Sequence, residues 1–319
     1  MKKRWLFFLL KLIIALITML LLFTQLDFRE ISSALQNPQN PIFILLALFL
    51  LIPNLFLQLF RWHYLLRTIQ PDVYLSESLG SLLGGVVVGF ITPGRVGEMG
   101  RSLFLKNTDR WQAFGLAFID KLYSLLTILI GGIWGITLLI SYLFNYEPFI
   151  VWPFCSIALM ITLGGVGIAL HPHVIRSLLY NLSLLLPHRD KMKRLISCMD
   201  QFQKKQARIL FTLSFLLYAI YILQFSILAF AFQRVPWHTV LTVTTSTFFT
   251  KTLLPISLAD LGIREGAAVY FFMKFHVDKI TAFNSAILLF TINVLIPTIL
   301  GLFFLPRLGW REGQNSKMK

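Results

Sequence analysis

The 319-residue chain is 56% hydrophobic and only 13% charged. A soluble domain is about 45–50% apolar and 25% charged, so water is not this chain's main solvent. Its 29 Lys and Arg against 14 Asp and Glu leave a net charge of +15, which in so apolar a chain points to membrane topology and anionic headgroups and away from nucleic acid.

The apolar residues come in continuous runs of membrane-crossing length and do not alternate, which excludes a β-barrel. The first run follows Met1-Lys2-Lys3-Arg4 and lacks a small-residue cleavage site, so it is expected to be an uncleaved first helix. Six full spans are expected, at 5–26, 42–62, 112–141, 151–170, 209–232 and 282–305. Lys2, Lys3, Arg4 and Lys11 place the N-terminus in the cytoplasm by the positive-inside rule. Counting onward puts Arg61, Arg67, Lys106 and Arg110 inside, residues 142–150 outside, and the tail with Arg307, Arg311, Lys317 and Lys319 inside. Both termini are thus expected to be cytoplasmic, in a multi-pass protein of the cell membrane.

Between the spans lie two pairs of segments too short to cross. Residues 77–91 and 96–107 are joined by Thr92-Pro93-Gly94-Arg95; residues 238–254 and 263–273 are joined by a linker from Leu254-Pro255 to Asp260-Leu261-Gly262. The charge count opens the first pair to the cytoplasm and the second to the outside. The expected fold class is therefore all-α, a polytopic membrane protein with two oppositely oriented re-entrant helical hairpins. It forms a single transmembrane domain over 1–319, in which 42–141 and 209–305 are inverted units. Residues 171–208, with Lys191, Lys193 and Arg194, read as a cytoplasmic basic amphipathic connector able to meet anionic lipid or a partner.

The junctions carry the chemistry. Pro93, Gly94 and Gly97 in the first, and Pro255 and Gly262 in the second, break the helix and leave backbone groups that hydrocarbon does not tolerate unpaired. The helix that restarts beside Arg95 or Arg264 offers N–H groups and a guanidinium to an anion. Glu98 and Glu265 follow at favourable first-turn positions, where each can orient an arginine or take a cationic group. Arg101, Asp120 and Lys121 complete the candidate substrate-binding set, the last two lining the route. Charges at membrane depth cost at least ~2.5–3.5 kcal/mol each and require an account; Lys251 raises the same question, and Asp260 lies in the second linker. Gly84, Gly85, Gly89, Gly131, Gly132 and Gly135 are expected to permit close helix packing.

The six histidines show no zinc spacing, and neither a metal, another cofactor nor an ATP-binding loop is expected. Cys155 and Cys198 imply no disulfide framework. The expected partners are membrane lipids, anionic ones foremost, with room for a membrane-protein partner or a second copy. Two rivals to transport are an intramembrane lipid-headgroup-modifying enzyme and a non-transporting membrane scaffold. The enzyme is disfavoured because no paired histidine and acid and no metal cluster is present.

With Gly89-Phe90-Ile91-Thr92-Pro93-Gly94-Arg95-Val96-Gly97-Glu98, Leu254 to Glu265, Arg61-Trp62 and Asp120-Lys121 in view, the chain resembles the lysylphosphatidylglycerol synthase transmembrane region family of flippase-like proteins. Larger members join this region to a cytosolic aminoacyltransferase that attaches an amino acid to phosphatidylglycerol, and the membrane part is credited with moving the product between leaflets. With 14 residues after Leu305, the resemblance implies the translocation half without the synthase half, and no enzymatic activity. Leu258-Ala259-Asp260 departs from the family's glycine-rich second junction by adding an acidic residue.

Overall fold

The computed structural model describes residues 32–33, 35–106, 108–184, 195–199, 202–255, 257 and 260–304. The expected first span, the basic centre of the connector and the C-terminal tail lie outside them. Among the described residues five helical stretches are long and apolar enough to cross a membrane, and the protein is an all-α, polytopic membrane protein.

Helices α1 (Pro41–Phe49) and α2 (Leu51–Leu66) form the first of these, with a one-residue interruption at Leu50. Pro53 explains it, since proline lacks the N–H that would bond the carbonyl of Phe49. Helix α3 (Leu75–Phe90) folds back on a 3-10 helix (Val96–Phe104). They meet closely through glycine: a Cβ on Gly85 would stand 2.6 Å from the Cβ of Arg101 and 2.9 Å from the Glu98 carbonyl oxygen.

Helix α4 (Arg110–Leu143) runs unbroken for 34 residues, about 50 Å, well beyond a bilayer's hydrocarbon core. Its start is fixed by Asp109, whose carboxylate accepts from the N–H groups of Trp111 (2.7 Å) and Gln112 (3.3 Å). Helix α5 (Pro148–Leu170) packs on α4 and exposes Phe149, Trp152, Met160 and Leu163, side chains suited to lipid and not to water. Helix α6 (Pro172–Leu184) follows.

Helix α7 (Lys204–Phe232) spans the centre of the fold and packs against α1, α2, α4 and α5. The second short pair is α8 (Trp237–Leu253) and α9 (Ile263–Lys274), packed on each other. The last long stretch, Lys279–Leu302, comprises α10 (Lys279–Phe290), a π-turn (Thr291–Leu295) and α11 (Ile296–Leu302). Pro297 cannot bond the carbonyl of Asn293, and the ladder widens so that Ile296 N–H reaches Thr291 O.

Two apolar cores flank the middle of the molecule. Trp62, Leu66, Leu116, Tyr123 and Phe202 belong to the first, around the first short pair; Phe225, Phe248, Phe272 and Leu289 belong to the second, around the other pair.

Candidate functional site

The two junctions meet. Gly94 N–H donates to the Ser257 carbonyl at 3.1 Å, and a Cβ on Gly94 would stand 2.6 Å from the Cβ of Pro255. Gly94 has φ +58° and Gly262 φ +88°, conformations open to glycine at little cost. Arg95 (φ +54°) and Asp260 (φ +63°) share that left-handed region without being glycine.

Beneath this contact lies a cavity of about 140 Å³, with walls drawn from both short pairs and from α2, α4, α7 and the π-turn. It has room for several waters or one small polar headgroup. Arg95, Glu98, Arg101, Asp120, Lys121 and Arg264 all line it, so six of the seven expected substrate-binding residues converge from segments far apart in sequence. The seventh, Glu265, is fully buried behind Arg264.

The charges are tied into four sets. On the first side, Glu98 is shared by Arg95 Nη2 (2.5 Å) and Lys121 Nζ (3.0 Å). Asp120 is shared by Arg61 Nε (2.5 Å) and Arg101 Nη2 (2.6 Å). Arg101 also lies 3.8 Å over the Trp62 ring, whose N–H is held by Ser81. On the second side, Lys251 pairs with Asp260 at 3.0 Å, and Arg264 donates twice to Glu265 Oε1, from Nη2 at 2.5 Å and Nε at 3.1 Å. The other Glu265 oxygen accepts from Gly262 N–H at 2.6 Å.

The backbone N–H groups at the helix restarts are used differently from the sequence expectation. Thr92 Oγ1 accepts from Gly97 N–H at 2.7 Å, and Glu98 N–H bonds the Arg95 carbonyl at 3.2 Å. In the second junction Glu265 itself takes the Gly262 donor. Side-chain cations, not open helix ends, therefore face the cavity. Pro93, Gly97, Pro255 and Gly262 shape the tips without lining it.

Sequence reasoning left Arg61, Lys251 and Asp260 out of the binding set, and missed a carboxamide network altogether. Asn54 Nδ2 donates to Gln224 Oε1 (3.2 Å) and Asn293 Oδ1 (3.1 Å), Asn293 Nδ2 donates to the same Gln224 oxygen (3.0 Å), and Gln58 Nε2 donates to Asn54 Oδ1 (2.6 Å). Gln58 and Asn293 reach the cavity. The available signal was carboxamides set within apolar runs, Asn54 and Gln58 four apart in one and Gln224 and Asn293 in two others, a placement costly in lipid unless each finds a partner.

The architecture is that of a polytopic helical protein with an ion-paired polar cavity inside its apolar body. The sequence decides the family: residues 8–301 match the lysylphosphatidylglycerol synthase TM region, and the chain belongs to that family. Neither a curated protein nor a solved structure matches it. The match is to the synthase's transmembrane region, and among the described residues no group of three His, Cys, Asp or Glu could hold a metal ion. Membership supports a role in lipid translocation in general, at a membrane site, with membrane lipids as partners.

Proposed function

We propose that this protein moves an amphiphile with an anionic headgroup between membrane leaflets, the headgroup passing through the cavity where the junctions meet. The cargo is a phospholipid, an aminoacylated phospholipid or a glycolipid. Arg95, Arg101 and Lys121 contact the headgroup from the first side and Arg264 from the second; Glu98 and Glu265 hold the arginines in place. The short pairs act as re-entrant hairpins entering from opposite faces of the cell membrane, 42–141 and 209–305 being inverted units with both termini cytoplasmic. The observation that carries this reading is the convergence of the two tips over one charge-lined cavity, since hairpins inserted from opposite faces would meet tip to tip at the midplane.

The test is leaflet exchange of headgroup-labelled lipids in proteoliposomes, followed by quenching of the outer leaflet. Parent protein is expected to expose inner-leaflet label, and Arg95→Gln to slow exchange by at least about tenfold, the scale of one lost charge-assisted hydrogen bond. Parent protein that gives no more exchange than empty vesicles would sink the proposal.

A further inference from the structure

The charges on the cavity do not cancel. Arg61 and Arg101 share one carboxylate, Asp120; Arg95 and Lys121 share another, Glu98. Lys251–Asp260 and Arg264–Glu265 are matched one to one. Among the described residues, six cations lining the cavity are thus paired with four carboxylates, Glu265 from behind Arg264, and the surplus of two positive charges lies entirely on the first side.

The surplus is also contiguous. Asp120 and Lys121 are neighbours on α4, while Glu98 and Arg101 lie one turn apart on the 3-10 helix, which has three residues per turn, and Arg95 is the left-handed residue just before its start. Both two-to-one sets therefore bridge the first junction and α4, with Arg61 added from α2. Arg101 is 6% exposed, and the buried Nε atoms of Arg95 and Arg101 have no hydrogen-bond partner. Guanidinium N–H groups left this way in a membrane interior favour an added acceptor carrying negative charge.

We infer that the cavity is matched to a headgroup carrying two negative charges, a phosphate monoester dianion, seated between the Glu98 and Asp120 sets. The inference rests on reading the cavity as the cargo's binding site. A phosphodiester, with one negative charge, leaves one cation uncompensated. A zwitterion leaves both, and a headgroup with added ammonium groups enlarges the surplus. Among these headgroups only the dianion closes the charge balance, and its three terminal oxygens suit several guanidinium and ammonium donors at once.

Full-length protein in phosphatidylcholine nanodiscs, titrated calorimetrically at pH 8, distinguishes these cases. Four probes are needed: short-chain phosphatidic acid, short-chain phosphatidylglycerol, short-chain phosphatidylcholine and inorganic phosphate, all against constant chloride. The phosphomonoester is expected to bind about tenfold or more tighter than the phosphodiester, with no measurable phosphatidylcholine binding. Lys121→Gln removes one surplus charge and leaves Glu98 its Arg95 partner, so the monoester preference should shrink toward unity; Lys121→Arg should retain it. Equal binding of phosphatidic acid and phosphatidylglycerol, or a preference unchanged in Lys121→Gln, overturns the inference. Inorganic phosphate binding as tightly as phosphatidic acid upholds the dianion site and assigns it to soluble phosphate, against lipid cargo. Leaflet exchange without monoester preference leaves the translocation proposal standing and this one fallen; monoester binding without exchange of any lipid does the reverse.

Discussion

Asp120 holds two guanidinium groups at once, and both arginines are as buried as it is. Its replacement by alanine strands two cations, so a stability loss of about 3–5 kcal/mol is expected, the scale for breaking a buried pair. Lys121→Gln, in contrast, should change stability by no more than about 1 kcal/mol, because Glu98 keeps Arg95 and the pair is a quarter exposed. Thermal unfolding of monodisperse detergent-purified protein separates the two. The glutamates divide in the same way. Glu265 accepts from both Arg264 and Gly262 and is fully buried, so Glu265→Gln should cost about 1–3 kcal/mol of stability. Glu98→Gln should chiefly weaken headgroup binding. Equal melting temperatures for the two glutamine variants would contradict this division. Arg95 and Arg264 were legible in the sequence because each adjoins a proline and glycine break. The joining of Arg61 to Asp120 and of Asn54 to Gln224 was not, since the partners lie in different apolar runs scores of residues apart. Pairing across 170 positions, as between Asn54 and Gln224, leaves no local pattern to read.

At the scale of elements, the 3-10 helix departs most from expectation. An α-helix turns about 100° per residue, which would rotate each three-residue step about 60° away from alignment. The tighter helix instead stacks Glu98 and Arg101 toward α4, and α3 is near enough to enforce it only because Gly84, Gly85 and Gly89 lack side chains. Gly85→Ala is therefore expected to push the 3-10 helix from α3 and reduce headgroup binding together with stability. A variant that melts and binds like the parent would show that the gap is not needed. Gly94→Ala meets two penalties: a left-handed backbone, costing about 1–2 kcal/mol, and a Cβ 2.6 Å from Pro255. The five long stretches were readable from hydropathy to within about five residues at each end. The π-turn was not, because Pro297 signals only that a bond is missing and not how the ladder will close around it.

For the whole molecule, the inverted arrangement makes a prediction that depends on no site chemistry. Asp72 lies exposed at the base of the first short pair and Arg234 exposed just before the second. Cysteines placed there singly, with Cys155 and Cys198 replaced by serine, should react with an impermeant maleimide from opposite faces of a sealed vesicle. Reaction of both from the same face ends the inverted-unit proposal, whatever the lipid assays show. Two similar proline-glycine-arginine-glutamate junctions suggested such a relation in the sequence, but hydropathy reports depth and not direction, so orientation had to come from loop charge alone.

The contact between Gly94 and Ser257 bears on something other than cargo. A polar chamber inside a bilayer is a weak point for any cell that stores energy as a voltage, because water that entered from both sides would short-circuit it. Here the two tips press together over the chamber through a backbone hydrogen bond and the Pro255 ring, a plug made of main chain and therefore hard to lose by side-chain substitution. Vesicles bearing the parent protein should consequently hold an imposed potassium diffusion potential as long as empty ones do, while Gly94→Ala, by prying the tips apart, should let it decay faster.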